Sequence, residues 1–294
     1  MTMIEAQAVQ GDAPAGPFTL ALPQADALPL VCDSPHSGTH YPLDFGAAVP
    51  LERLRGGEDT HIDTLWSAIP QVGGTLIGAT FPRVYIDPNR TLDDLDPELL
   101  VSPWPTLLSP GEKTRLGYGL IWRRLDATTP IYDRLLTVAE VQRRIDAYYR
   151  PYHAALSEAV EAAHRRFGAV WHLNLHSMPN NAYARLKIDS PHPLADFVLG
   201  DRDGTTCEPG LVDVVETGLK AMGYTVARND PYKGVQLIAQ MGRPAERRNS
   251  LQIEIRRPLY MDEATKVPNA GFAALQRDLA TLSGQLAAYI RAQL

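Results

Sequence analysis

Two histidines stand just past stretches that read as core strands. Leu30-Val31-Cys32-Asp33 runs into Ser34-Pro35-His36-Ser37-Gly38, and Ala169 to Leu175 runs into His176-Ser177-Met178-Pro179. A buried parallel strand reads as a continuous apolar run, and ligands of open α/β sheets bind beyond the carboxyl ends of the strands. Neutral imidazole is also the commonest side-chain metal ligand. His36 and His176 are therefore candidate ligands, with an acid from Glu58-Asp59 as the third. Hydrolytic zinc sites typically combine three His or carboxylate ligands with one open position for water, whose pKa the ion lowers to about 7. The spacing is not a compact signature of the H-E-x-x-H kind. The competing account makes His36 a loop cap and His176 a satisfied core histidine; the position of both at strand ends favours the ligand account. His61, His153, His164 and His172 lack that context and read as surface or packing residues.

Glu254 is the second candidate. It lies in the alternating run Leu251-Gln252-Ile253-Glu254-Ile255-Arg256, with Gln252, Glu254 and Arg256 on one face. A carboxylate buried there is costly without a partner or a task. General-base work beside a metal is one task, and low polarity raises the pKa toward the useful range. A structural ion pair with Arg256 or another arginine is the equal alternative at this point. The third set is the arginines Arg83, Arg90 and Arg256-Arg257, with Asn89 beside Arg90. Guanidinium binds carboxylate through a bidentate fork, so an acidic small molecule suits this group. Solvated surface arginine is the ordinary reading of any single one.

The elements that position these residues alternate between strand and helix. Phe18 to Leu22, Gly74 to Phe81, Val84 to Asp87, Phe197 to Asp201 and Tyr224 to Ala227 read as further strands. Arg83 and Arg90 would then flank a short strand and project from its ends into one pocket. A helix is expected to start near Asp59 or Thr60, both good N-cap types. Val138 to Phe167 is the longest helical run, with a kink or second start at Pro151. Thr205 or Thr206 is expected to cap a helix from Pro209 to Met222. Phe272, Leu275, Leu279, Leu282, Leu286 and Ile290 make the stripe of an amphipathic C-terminal helix. Thr91 to Thr129 is irregular, as functional or mobile segments often are. The alternation predicts an α/β fold with a mostly parallel sheet in a single domain spanning 18–294, preceded by a loose lead-in from Met1 to Pro17.

Composition bounds the function. The 294 residues carry a net charge of −6, which argues against a broad nucleic-acid surface. No apolar run approaches the ~20 residues of a membrane span, and no signal-peptide pattern opens the chain. The two cysteines, Cys32 and Cys207, are too few for a disulfide framework and favour a reducing compartment; a cytoplasmic protein is expected.

Taken in order, Ser34-Pro35-His36-Ser37-Gly38, Glu58 to Asp63, Phe81 to Arg90, Asn174 to Pro179, Leu199 to Gly204, Asn229 to Gly234 and Gln252 to Arg256 resemble the N-formylglutamate amidohydrolase family. The resemblance spans roughly Ser34 to Tyr260, and the ordered set rather than any one piece carries it. It implies a mixed sheet with helices on both faces, related to the metal-dependent carboxypeptidase and aspartoacylase fold group. It also implies a zinc hydrolase that deformylates N-formyl-L-glutamate in histidine degradation. Carried over by position, His36 and His176 are the metal histidines. The wider group places its carboxylate ligand three residues after the first histidine; here that residue is Thr39, so the ligand comes from Glu58-Asp59. The family motif favours Asp59, with Glu58 the alternative. Glu254 matches the general base, Arg83 the oxyanion-steadying arginine, and Asn89-Arg90 the carboxylate-binding pair. Arg256 or Lys233 is left for a second substrate carboxylate. Spacing does not rank zinc against cobalt or manganese. Two readings compete: a hydrolase of another N-acyl amino acid or peptide end, and a non-catalytic binder of acidic metabolites.

Overall fold

The computed structural model describes residues 15–294. The part of the expected lead-in before residue 15 lies outside the described residues. Gly16 and Pro17 are tied down, their carbonyls accepting from Thr80 Oγ1 at 2.8 Å and Thr80 N at 3.1 Å.

Seven strands among the described residues form one mixed sheet: β1 Phe18–Ala21, β2 Leu30–Ser34, β3 Thr75–Ala79, β4 Val170–Met178, β5 Phe197–Gly200, β6 Val226–Arg228 and β7 Arg248–Arg256. Their spatial order is β1-β3-β2-β4-β7-β5-β6. The central strands β3, β2, β4 and β7 run parallel, β1 pairs antiparallel with β3, and β5 pairs antiparallel with β7. The helices are α1 Leu51–Leu54, α2 Ile62–Leu65, α3 Glu112–Arg115, α4 Val138–Arg144, α5 Arg150–Phe167, α6 Ala182–Leu186, α7 Pro209–Ala221, α8 Gln236–Met241 and α9 Phe272–Gln293.

Side-chain alternation divides the sheet into two unlike faces. Leu30, Cys32, Trp171, Leu173, Leu175, Leu251, Ile253 and Ile255 join α2, α7 and α9 in one apolar core. Leu275, Leu279, Leu282, Leu286 and Ile290 of α9 are buried there as the heptad-like stripe requires. The opposite face packs on α4 and α5 through Val31, Ile77 and Val170, near the beginnings of the strands. Toward the strand ends it turns polar, with Asp33, His172, Asn174, His176, Ser250, Gln252 and Glu254 all buried. The functional residues lie on this face.

Several local expectations change. Val84 to Asp87 forms turns rather than a strand, because its polar groups serve other segments: Asp87 N donates to Leu120 O and Arg90 N to Asp87 O. The helix after Asp59 is one turn long, and its N-cap is His61, held at φ 73° with its ring bonded to Lys266 O at 2.8 Å. Asp59 and Thr60 are buried instead of capping. α7 begins at Pro209 with Glu208 at the cap position and no side-chain cap bond. Thr205 spends its hydroxyl on Arg202 O. At Pro151 the expected second start is found: α4 ends at Arg144, a π-helical turn Ile145–Tyr149 follows, and α5 begins at Arg150 with Pro151 in its first turn, where its missing N–H costs least. Thr137 opens this helix with a reciprocal capping box to Glu140.

Arg144, 2% exposed, pins the irregular segments to α4. Its guanidinium donates to Tyr85 O, Phe45 O and Tyr132 Oη at 2.7–3.1 Å, and lies 4.1 Å from the centre of the Tyr85 ring. It has no carboxylate partner among the described residues, so carbonyl dipoles and ring faces carry its charge. Arg144→Met strands two buried carbonyls and is expected to lower the unfolding free energy by about 3 kcal/mol, measured by urea titration. An unchanged midpoint and slope would contradict this account of the 84–88 segment.

Candidate metal centre and substrate cavity

The loop leaving β2 carries His36 across the ends of the parallel strands. Gly38 lets it pass: a Cβ there would lie 2.3 Å from Phe81 O. The chain returns after α1 through Gly56 and Gly57, and Asp59 N donates to His36 O at 2.9 Å, setting the acid beside the histidine. His176 projects from the sixth residue after Val170 on β4, on the polar face. The three side chains meet. His36 Nδ1 lies 3.1 Å from His176 Nδ1 and 3.3 Å from Asp59 Oδ2, and His176 Nδ1 lies 3.1 Å from the same oxygen.

The outer atoms fix the tautomers. His36 Nε2 donates to Asp87 Oδ1 at 2.8 Å and His176 Nε2 to Asn174 Oδ1 at 2.7 Å. Each ring thus keeps its proton on the far nitrogen and turns a lone pair inward. Two imidazole lone pairs and a carboxylate oxygen facing one another match the nitrogen and oxygen donors of a divalent metal site, and such a triad repels itself without a cation. All three residues are at least 96% buried by side chain. Burial opposes ionisation of Asp59, yet contacts with His176 and His36 and the charge of Arg257 hold its carboxyl well below the usual range. Ser177 Oγ and Arg257 Nη2 donate to its other oxygen at 3.1 and 3.0 Å. Asp87 is likewise held low against burial, chiefly by the charge of Arg83 and the hydrogen bond from His36.

Glu58 lies outside this triad. Its carboxylate accepts from Tyr41 Oη, Arg55 Nε and Thr60 Oγ1 at 2.9–3.1 Å, while its carbonyl accepts from Arg257. Glu254 is brought in by strand register. His176 and Glu254 are opposed residues of the parallel pair β4 and β7, as are Asn174 and Gln252. Gln252 Nε2 donates to Glu254 Oε1 at 2.9 Å. The ion pair with Arg256 is not formed; Arg256 turns to Asp196 at 2.5 Å. Burial pushes the Glu254 carboxyl up to about 7, with His176 opposing and Asp59 adding to the rise.

A cavity of about 220 Å³ opens on the triad and Glu254, and Arg83, Asn89 and Arg90 line it. Arg83 donates from Nε and Nη2 to Asp87 Oδ2 at 3.1 and 2.8 Å, leaving Nη1 uncommitted. Arg90 donates from Nε to Tyr118 O and from Nη1 to Asn89 O. Asn89 Nδ2 lies 2.8 Å from His176 Nε2, and its Oδ1 is buried with no partner. With the proton on His176 Nε2, that contact sets donor against donor. Asn89 Nδ2 also donates to Asn174 Oδ1 at 3.3 Å, so the amide and the imidazole N–H share that one acceptor. Lys233 and Arg256 do not line the cavity. Lys233 is exposed and pairs with Asp203 at 2.9 Å.

Residues given no role from the sequence surround the triad: Asp87, Asn174, Ser177 and Gln252, with Arg257 from the candidate arginines. Asn174 was legible, standing two residues before His176 on the same strand face. Arg257 was grouped with Arg256 among the candidate arginines but given no role; β7 ends at Arg256, and the turn Arg257–Leu259 brings the second arginine inward to Asp59.

Comparison with known proteins gives the chain's relatives. The family model described as N-formylglutamate amidohydrolase matches residues 28–261. The chain is 77% identical to an N-formylglutamate amidohydrolase from Ralstonia eutropha JMP134 of known crystal structure; the match covers 95% of this chain and 100% of that one, with a TM-score of 0.94. It is 27% identical over 250 residues to an N-formylglutamate deformylase of Pseudomonas putida, covering 80% of this chain and 83% of that protein. An N-formylglutamate deformylase of Pseudomonas aeruginosa is 28% identical over 243 residues, with the same shares covered. The matched span runs from the entry to β2 through the end of β7 and so includes the triad, Glu254 and the cavity arginines: the chain belongs to the N-formylglutamate amidohydrolase family.

Proposed function

We propose that this protein hydrolyses the formyl amide of N-formyl-L-glutamate to formate and L-glutamate, as a step of histidine degradation in the cytoplasm. The observation that carries the reading is the inward-facing triad of His36, Asp59 and His176 with Glu254 opposed to His176 across the strand pair. Family membership and the cationic lining of the cavity support it. Cys32 and Cys207 are free and buried, in keeping with a reducing compartment.

His36, Asp59 and His176 would hold the metal, with zinc the first choice for this donor set. When bound, the ion supplies Lewis acidity toward water and toward the formyl oxygen. Glu254 accepts a proton from the attacking water as its oxygen adds to the formyl carbon. The same carboxyl returns the proton to the amide nitrogen as the C–N bond breaks, giving formate and the free amine. Arg83, held by Asp87, presents fixed positive charge to the developing oxyanion. Arg90 and Asn89 receive a substrate carboxylate. Asp87 and Asn174 keep the histidine protons on the outer nitrogens.

Formate release from N-formylglutamate is expected from the metal-loaded protein, and its loss after complete chelation with return on adding zinc; equal turnover in verified metal-free protein would sink the metal role. Glu254→Gln is expected to retain metal while losing roughly 10²–10⁴-fold in kcat. A panel of N-formyl, N-acetyl and N-succinyl glutamate tests acyl size, and the small cavity predicts preference for formyl. Water activation needs ionised Glu254, so kcat/KM rises with pH along an acid limb. A cation beside the carboxyl favours ionisation, which places that limb below about 7. Asn174→Ala frees the His176 ring and is expected to weaken zinc binding about 10–100-fold, measured by competition with a chromophoric chelator.

A further inference from the structure

Two cations at the cavity have no assigned work. Arg83, Arg90 and Arg257 each have a carboxylate within ion-pair reach. Lys113 of α3 and Arg185 of α6 line the same cavity, are exposed, and pair with no carboxylate among the described residues. They come from distant parts of the chain, one from the irregular segment after Asn89-Arg90 and one from the short helix after β4. Arg185 is near enough to bear on both Lys113 and Tyr118. Desolvation, then the charges of Arg90, Arg83 and Arg185, hold the Lys113 ammonium below its usual pKa, with Glu112 only partly offsetting them. Like charges gathered without a counterion are unfavourable until an anion arrives.

Arg90 with Asn89 accounts for one carboxylate, and the substrate proposed above has two. The residues first considered for the second, Arg256 and Lys233, are spent on Asp196 and Asp203. We infer that Lys113 and Arg185 form the second carboxylate subsite, which takes the side-chain carboxylate of an N-acyl amino dicarboxylate and makes the enzyme selective for acidic over neutral side chains. The inference rests on the proposed function for the reacting end of the molecule, but the subsite itself is a dicarboxylate-binding feature of the cavity.

The test compares N-formyl-L-glutamate with its neutral isostere N-formyl-L-glutamine in metal-loaded wild type, Lys113→Gln, Arg185→Gln and the double variant. The ratio of their kcat/KM values is expected to fall about tenfold in each single variant and at least about thirtyfold in the double, chiefly through KM for the acidic substrate. Titration calorimetry gives a readout independent of turnover: glutarate should bind wild type at least about tenfold more tightly than butyrate, and the double variant should lose that preference. Selectivity and glutarate preference both within twofold of wild type in the double variant would overturn the subsite. The two proposals fail separately. A wild type that releases no formate yet prefers glutarate through Lys113 and Arg185 loses the activity and keeps the subsite; one that deformylates with selectivity indifferent to both residues does the reverse.

Discussion

Three electron-pair donors sit within 3.3 Å of one another in the interior, with each imidazole proton already committed elsewhere. That mutual repulsion is the constraint on which the rest of the site depends. Unpaired, such donors would shift their pKa values or rotate apart. Here the surroundings forbid both. Asp87 and Asn174 hold the outer ring nitrogens, the carbonyl of His36 holds the backbone of Asp59, and Arg257 with Ser177 holds the remaining carboxylate oxygen. The frustration is local and stable because it is surrounded by satisfied bonds, a pattern found where a site is prepared for a charge that folding alone does not supply.

Behind the triad the polar residues form a connected chain. Asp33 accepts from Asn174 at 2.8 Å, from His172 at 2.9 Å and from Tyr152 at 2.7 Å, and His172 in turn receives the Ser250 hydroxyl at 2.7 Å. These contacts hold the Asp33 carboxyl below its ordinary value although burial pushes the other way. The Asp33, His172 and Ser250 series has the types of a nucleophilic triad, but all three are fully buried, so its work is to orient Asn174 and through it His176. The opposite face is lined by the first apolar core, and on this face the second core packs the beginnings of the strands, which leaves the polar residues near the strand ends to alignment.

The sequence made the central parts readable where period and position agreed. Continuous apolar runs marked β2 and β4, and alternation marked β7, so His36, His176 and Glu254 were each placed at a strand end or on a strand face; the structure adds that these positions converge. The choice between Glu58 and Asp59 depended on tertiary partners, since Tyr41, Arg55 and Thr60 that saturate Glu58 announce nothing in the local pattern. Val84 to Asp87 misled for a related reason. Its β-branched and aromatic residues suit a strand, but their burial among Phe45, Trp122 and the α4–α5 helix satisfies the same preference without a ladder. Lys233 and Arg256 were chosen by charge alone, which cannot distinguish an arginine facing a cavity from one facing Asp196.

One strand has a standing in the sheet that its length conceals. β7 lies between β4 and β5, so it alone joins the four-strand block β1-β3-β2-β4 to the pair β5-β6. It is also the last strand in chain order. In chain order both blocks precede the strand that unites them, so without β7 the edge of β4 that it covers would be open. The carboxylate that would deprotonate water travels on that same strand. A chain without β7 therefore loses two things at once, the link between the two blocks of the sheet and the carboxylate that faces His176.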